Sequence, residues 1–459
     1  MGSERDYEPG ENFSEAWRSA GVAMMQNENE DLMKAYDLTY DCVQCGYCLP
    51  ACPTYQTMKK ETHSPRGRIN LVKLAAEGKL SVEELSEPID LCLGCRACET
   101  ACPTNVQYGK ILEHAKTAIQ KNRKKEMTAF RRFTQDMFFK QVFPRQRVMN
   151  GLGNALWLYQ KTGMKRLIHT KLLSRCIPKN LDLFDRGLSE AKMPFKTSQS
   201  YKSQQVSNPK YEVAFFTGCV MEAVFQRINE LSIRLLELAG CKVTVVKGQT
   251  CCGALHAHSG EENIAKSLAR KNIEAFEKGK FDFIVNNAGG CGAMLKEYSR
   301  LFEGEPEWLE RAKRFADQSV DISVILNRLQ FPFKKEMHCR VTYQPSCHMT
   351  NVQKVTDAPM NLIQQIKGID FQPLQNPNFC CGSAGIYNIV HFDASMDILD
   401  VKMNDVEATA ADLIVTTNPG CLLQMKAGIE KNHLSGKMKA VHLVELLAEA
   451  CGINESIER

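Results

Sequence analysis

Two stretches of the chain repeat one pattern: Cys42-x2-Cys45-x2-Cys48-x3-Cys52-Pro53 and Cys92-x2-Cys95-x2-Cys98-x3-Cys102-Pro103. These thiols constrain the fold more than any other feature, because they must converge on inorganic groups as well as on a core. The spacing is the run in which the fourth cysteine ligates the other of two iron-sulfur clusters. Reach explains the exchange. Three thiolates two residues apart on a tight loop can cap three corners of one cube. The fourth lies too far along the chain to close that cube, and the proline turns it away. The expected assignment is Cys42, Cys45, Cys48 and Cys102 for cluster one, and Cys92, Cys95, Cys98 and Cys52 for cluster two, each a [4Fe-4S] group. A pair of zinc knuckles is the alternative. Two complete, proline-terminated copies weigh against it.

Compartment bears on what the other cysteines do. The chain has 459 residues and 20 cysteines. Its N-terminus is acidic and lacks an apolar core, so no signal peptide is expected. No apolar run reaches the length of a membrane span. Disulfides are then disfavoured, and clustered cysteines read as metal thiolates in a reducing, cytoplasmic setting. A net charge of +5 names no partner.

The length suggests about three domains. Residues 1–36 read as a polar N-terminal tail with an amphipathic stretch from Trp17 to Tyr36. Residues 37–120 read as a two-cluster α-helical ferredoxin domain. Helices are expected from Ile69 to Ala76, closed by Gly78, and from a capping box at Ser81 to Glu84. Residues 121–210 read as a basic helical connector and linker. From 121 to 175, Lys121, Arg123, Lys124, Lys125, Arg131, Arg132, Lys140, Arg145, Arg147, Lys161, Lys165, Arg166, Lys171 and Arg175 face only Glu126 and Asp136, with Phe130, Phe133, Phe138, Phe139, Phe143, Trp157 and Tyr159 interleaved. A solvated connector with its aromatics on the core is the simpler reading. Peripheral contact with anionic lipid at the inner face of the membrane, or with an acidic partner, is the sharper one. No recognition motif accompanies the charge, so no nucleic-acid partner is expected.

From Tyr211 onward the texture alternates. Strands are expected at Val213–Thr217, Val243–Val246 and Phe281–Val285, and helices at Val224–Leu238 and Glu262–Phe276. After Phe333 the order restarts, with strands at Arg340–Tyr343 and Leu413–Thr416 and helices at Met360–Ile366 and Asp393–Ala411. The expected fold is therefore multidomain, an α-helical ferredoxin domain followed by two repeated α/β cysteine-rich modules, residues 211–333 and 334–459. The repeat carries cysteines at matching places: Cys219, Cys251-Cys252-Gly253 and Cys291, then Cys347, Cys380-Cys381-Gly382 and Cys421. Each falls at a strand end or in the following loop, where open α/β sheets gather ligands. Four thiols per half suit a cubane cluster or one zinc, so these are further candidate cluster sites. Cys176, Cys241, Cys339 and Cys451 lack partner spacing and read as buried free thiols. His256, His258 and His348 read as neighbours of the module cysteines rather than ligands. Gly151-Leu152-Gly153 lacks a preceding strand and a third glycine, so it is no dinucleotide fingerprint.

Two Cys-Cys-Gly modules behind a two-cluster helical ferredoxin resemble the glycolate oxidase iron-sulfur subunits. The wider group holds lactate-utilisation iron-sulfur proteins, heterodisulfide reductase cysteine-rich subunits and the third subunit of anaerobic glycerol-3-phosphate dehydrogenase. The resemblance spans roughly Asp37 to Cys451 and rests on Cys45-Gly46-Tyr47-Cys48, Ser64-Pro65-Arg66-Gly67-Arg68-Ile69, Cys251-Cys252-Gly253-Ala254, Gly290-Cys291-Gly292-Ala293 and Cys380-Cys381-Gly382-Ser383-Ala384-Gly385. It implies an electron-transfer subunit of a 2-hydroxy-acid dehydrogenase, beside an FAD-containing subunit, with a quinone or other acceptor taking the electrons. Lactate or glycerol-3-phosphate oxidation, or disulfide reduction, are the alternatives it leaves open. Heterodisulfide reductase modules end in Cys-x-x-Cys and hold a non-cubane cluster. Here Ala288 and Asn418 replace the first of those cysteines, which argues against that cluster.

Overall fold

A computed structural model describes residues 30–162, 164, 183, 185, 206–329 and 331–453. Of the expected amphipathic stretch, residues 17–29 lie outside the described residues. So do Lys165, Arg166, Lys171, Arg175, Cys176 and the part of the expected linker from 190 to 205.

The N-terminal part is helical. Pro65–Ala76 forms because Ser64 accepts the Gly67 N–H as its N-cap and Pro65 occupies the first turn. Gly78 follows it at φ +71°. The expected capping box opens Val82–Asp90: the Ser81 side chain takes the Glu84 N–H and Glu84 takes the Ser81 N–H. The long helix Tyr108–Glu126 buries Ile111, Leu112, Ala115, Ala118 and Ile119 on one face, and Arg123, Lys124 and Lys125 complement the dipole of its last turn. Leu32 and Ala35 from the helix Glu30–Thr39 share that core with Val72, Leu85 and Ile89. The connector continues as Ala129–Asp136, a π-turn at Met137–Val142, and Gln146–Lys161.

Two four-stranded sheets follow, and every strand pair in them is parallel. The first holds β1 (Tyr211–Phe215), β2 (Cys241–Val245), β3 (Phe283–Asn286) and β4 (Ser319–Asp321) in the order β2-β1-β3-β4. The second holds β5 (Cys339–Gln344), β6 (Ile369–Phe371), β7 (Leu413–Thr416) and β8 (Lys439–His442) in the order β6-β5-β7-β8. The shared order realises the internal repeat, with Val213 opposite Val243 and Phe283, and Val341 opposite Phe371 and Leu413.

Three short strands escaped the sequence reading: β4, β6 and β8. Each has three or four residues and lies at a sheet edge, too short to show a period. The expected helix at Val224–Leu238 is two, Val220–Val224 and Gln226–Leu238, because Phe225 leaves helical geometry.

The modules share one apolar core, running from Val213 and Leu235 to Val341, Leu446 and Leu447. Helix Gln226–Leu238 packs on Leu443–Ala450, and Ile322–Arg328 packs on Asp357–Gln364. Each pairing joins the first long helix of one module to the last helix of the other, the reciprocity expected of a pseudo-two-fold. The C-terminal ends of both sheets therefore carry the cysteine loops. Among the described residues no helix is long and apolar enough to cross a membrane.

Candidate metal centres

The two ferredoxin runs fold alike. Gln44 and Gly46 in the first, and Gly94 and Arg96 in the second, all have φ between 56° and 86°. Residues two and four after the leading cysteine thus alternate handedness, which turns backbone N–H groups inward toward the sulfurs. The Gly94 N–H donates to Cys92 Sγ at 3.4 Å. The fourth cysteines are handled in parallel as well. Cys52 Sγ lies 3.3 Å from Thr54 Oγ1, and Thr54 donates to His63 O at 2.8 Å. Cys102 Sγ lies 3.4 Å from Thr104 Oγ1, and Thr104 donates to Asp41 O at 3.0 Å. That last bond ties the end of the second run to the start of the first.

The consequence is an exchange of partners. One cavity is lined by Cys42, Cys45, Cys48, Cys98 and Cys102. A second, deeper in the molecule, is lined by Cys52, Cys92, Cys95 and Cys98. Each run's terminal cysteine faces the other run's triplet, and Cys98 borders both cavities. The first cavity opens outward, with Cys45 exposed and Val43 and Tyr47 standing 64% and 68% exposed.

Burial sets the thiols' protonation, against local donors. It pushes Cys42 up and Cys48 up to about 11. It also raises Cys102, but the Thr104 hydroxyl and the N–H groups of Val106, Thr104 and Asn105 outweigh it and the net shift is downward. In the second cavity burial drives Cys95 and Cys98 far up. Cys92 falls, because Arg68, Lys116, the Tyr108 hydroxyl and the Gly94 N–H together exceed the burial effect. Such thiols release their protons only to a metal that replaces the lost charge.

Each module gathers its four cysteines into a row. Cys219 Sγ lies 3.4 Å from Cys251 Sγ, and sulfur contacts continue from Cys251 to Cys252 and from Cys252 to Cys291. In the second module the row is Cys347, Cys380, Cys381 and Cys421. Gly253 and Gly382 follow the double cysteines at φ +89° and +90°, where an L side chain is strained. A Cβ on Gly382 would also sit 2.7 Å from Ser395 O. Hydrogen bonding to the next thiol, together with burial, drives Cys219 and Cys347 well above the ordinary thiol value. In Cys252, Cys380 and Cys381 the bond from the preceding thiol lowers the pKa, but the bond to the following thiol and burial outweigh it and the net shift is again well upward. Among the described residues no three His, Cys, Asp or Glu side chains converge on one metal ion. Four thiols in contact along one set of loops make each module a candidate metal or cluster site.

The histidines take other work. His256 Nε2 pairs with Phe139 O at 2.8 Å, and His348 Nε2 with Gly94 O at 3.0 Å. The His258 and His348 rings lie 5.2 Å apart. Cys241 and Cys451 are buried, with no cysteine partner among the described residues, and burial raises them to about 11 and about 12. Cys339 is half-buried. Asn418 bonds across the module boundary, accepting the Gly290 N–H at 3.0 Å, while Ala288 is 2% exposed.

The modules differ in what lies next to them. Cys95 and Leu93 pack against Cys347, Cys380 and Phe379. Asn351 donates to Cys95 O at 2.8 Å and accepts from the Thr100 hydroxyl at 3.0 Å. The second module's thiol row therefore abuts the deeper ferredoxin cavity. The first module's row lies instead against the connector, in a cluster with Met149, Val142 and Phe143. Sequence reasoning missed this asymmetry, along with Thr54, Thr104, Tyr108 and Asn351. The repeated Cys-Pro-Thr at residues 52–54 and 102–104 was the available signal for the two threonines.

Comparison with known proteins agrees with this arrangement. A 4Fe-4S dicluster domain matches residues 39–106, and a cysteine-rich domain matches residues 213–296 and again 341–426. The linker region of the glycolate oxidase iron-sulfur subunit matches residues 130–188. A probable glycolate oxidase iron-sulfur subunit of Bacillus subtilis is 44% identical over 94% of this chain and 98% of its own. The chain belongs to the glycolate oxidase iron-sulfur subunit family. The glycolate oxidase iron-sulfur subunit of Escherichia coli is 27% identical over 92% of this chain and 97% of its own. Lactate utilization protein A of Bacillus licheniformis is 34% identical over 51% of this chain and 98% of its own. As a member of this family the chain is an iron-sulfur protein of an oxidoreductase, and the cysteines gathered at each of its two ferredoxin cavities fit [4Fe-4S] groups.

Proposed function

We propose that this chain carries electrons, one at a time, out of a separate FAD-containing subunit that oxidises glycolate. One observation carries the reading: the cysteine sites stand in sequence from surface to interior, with the outer cavity opening at Cys45, the deeper one behind it, and the second module's row against Cys95. The clusters supply one-electron steps to a two-electron flavin donor. Cys42, Cys45, Cys48 and Cys102 hold the outer cluster. Cys92, Cys95, Cys98 and Cys52 hold the deeper one. Cys219, Cys251, Cys252 and Cys291, and Cys347, Cys380, Cys381 and Cys421, are the further metal sites. The chain's own side chains set access: Val43 and Tyr47 flank the exposed Cys45, where a partner can approach, while Leu93 and Phe379 enclose the inner junction. A quinone or another acceptor takes the electrons at the far end.

The flavin belongs to the partner. Gly151 and Gly153 lie inside the helix Gln146–Lys161, and Gly153 is there to let that helix approach Ala223 O. The names of the two full-length relatives favour glycolate over lactate. The test is reconstitution under anaerobic conditions. The purified chain alone should not reduce an artificial acceptor with glycolate. Adding the flavoprotein subunit should restore turnover, faster with glycolate than with lactate. Flavin-free turnover by the single chain would overturn the relay reading.

A further inference from the structure

The string Ser64-Pro65-Arg66-Gly67-Arg68 has a local explanation for all but its last residue. Ser64 caps the helix and Pro65 fills its first turn. Arg66 pairs with Glu61 and donates to Gln44 O at 3.2 Å. A Cβ on Gly67 would lie 2.0 Å from Glu61 O, so no other residue fits. Arg68 is different. It is 1% exposed and is one of the largest fully buried side chains among the described residues. Its Nε donates to Pro88 O at 2.6 Å and its Nη2 to Thr54 Oγ1 at 3.1 Å, both neutral acceptors. Burial opposes its charge, and the groups that do most to favour it are Cys92, Tyr108 and Cys52. A guanidinium stays charged at any working pH, and a buried charge needs a counter-charge. Arg68 also lines the cavity formed by Cys52, Cys92, Cys95 and Cys98. The other guanidinium on that wall, Arg96, is neutralised by Glu99 and Glu297. The arginine of the outer cavity, Arg66, is more exposed and paired with Glu61.

We propose that Arg68 is a positioning residue for electrons. Its charge is the counter-ion of the deeper cluster, and it makes that cluster easier to reduce than the outer one. This rests on the cluster assignment proposed above. The step is a single electron passing from the reduced flavin of the partner subunit, through the outer cluster, to the deeper one. No bond forms or breaks and no proton moves. Each reduction adds one negative charge to a group already negative through its thiolates. Burial alone opposes that charge and would lower the deeper cluster's potential. Electrons would then have to climb inward. A fixed cation in the wall, in a low-dielectric site, reverses the order.

The experiment is a redox titration of the full chain followed by electron paramagnetic resonance. A water-soluble paramagnetic relaxing agent identifies the outer cluster, because Cys45 is exposed, and loss in Cys52→Ser picks out the deeper cluster among the signals the agent leaves sharp. In the wild-type chain the signal reduced first should be the one the agent leaves sharp. Arg68→Gln, with unchanged iron and labile sulfide, should lower that midpoint by at least tenfold in the one-electron equilibrium, about 59 mV. The broadened signal should not move. Arg68→Lys should retain most of the wild-type value. An Arg68→Gln chain that keeps its iron and its midpoint overturns the proposal. If Arg68→Gln loses iron, the wild-type order decides, and a broadened signal reduced first overturns it. A wild-type chain without two distinguishable clusters overturns the assignment itself, an outcome iron analysis separates from a failure of Arg68 alone.

Discussion

Asp321 ends β4 and caps the helix Ile322–Arg328, its Oδ1 accepting the Ser323 N–H at 2.8 Å and the Ser323 hydroxyl at 2.6 Å. Its Oδ2 is buried without a partner, and burial raises its pKa from 3.8 to about 6. The folded state thus binds the proton more tightly than the unfolded state. Stability from this group is fully present below about pH 3.8 and declines as pH rises to about 6, by a total on the order of 3 kcal/mol. Asp321→Asn keeps the cap but cannot ionise. Its stability relative to wild type should therefore rise between pH 4 and pH 7, measured by denaturant unfolding at each pH. A difference that stays flat would contradict the assigned shift. At this scale the sequence was partly legible. Cysteine spacing pointed directly to the candidate ligand residues, whereas Asp321 and Arg68 look like ordinary charged residues until their burial is known.

The cysteine loops are the elements on which function depends, and their local geometry was readable. Proline after the fourth cysteine starts the helix Pro53–Met58 and carries the chain away from its own triplet. That turn sets Cys52 against the other triplet, and the proposed cross-ligation makes a prediction. Cys52→Ser should abolish the signal that the relaxing agent leaves sharp and spare the broadened one, since Cys52 lines the cavity of Cys92, Cys95 and Cys98. Loss of only the broadened signal would refute the exchange. Helices with caps or long apolar faces, such as Val82–Asp90 and Glu262–Phe276, also followed from local rules. The edge strands β4, β6 and β8 did not, because three or four residues hold no periodicity and are strands only through their neighbour.

In the whole molecule, a charged junction locks the ferredoxin part to the modules. Arg96 pairs with Glu99 and with Glu297 of the first module, Arg300 pairs with Glu297 and Glu113, and Lys124 pairs with Glu261. Arg96 and Glu297 are mostly buried, 15% and 18% exposed at their side chains, so removing one partner strands the other. Arg96→Met should cost about 3–5 kcal/mol and loosen the dock selectively. Hydrogen exchange would detect it as faster opening at residues 94–100 and 347–351, with the interior strands β1 and β5 unchanged. Uniform protection across the molecule would show that the apolar contacts of Leu93 and Phe379 suffice without the ion pairs.

By itself the sequence determined what depends on short covalent reach: which thiols share a loop, where glycine must relieve a turn, which apolar runs become strands, and that the pattern occurs twice. Only the tertiary structure decided which of these sites meet. Asn351 reaches Cys95 O across 256 residues, and Arg68 finds Thr54 and Pro88 on two different helices. Nothing in the local pattern distinguishes the second module's cysteines from the first's, yet only the second row lies against Cys95. Such contacts follow from how separate faces bury together, and that choice is made by the whole chain's packing rather than by any one segment.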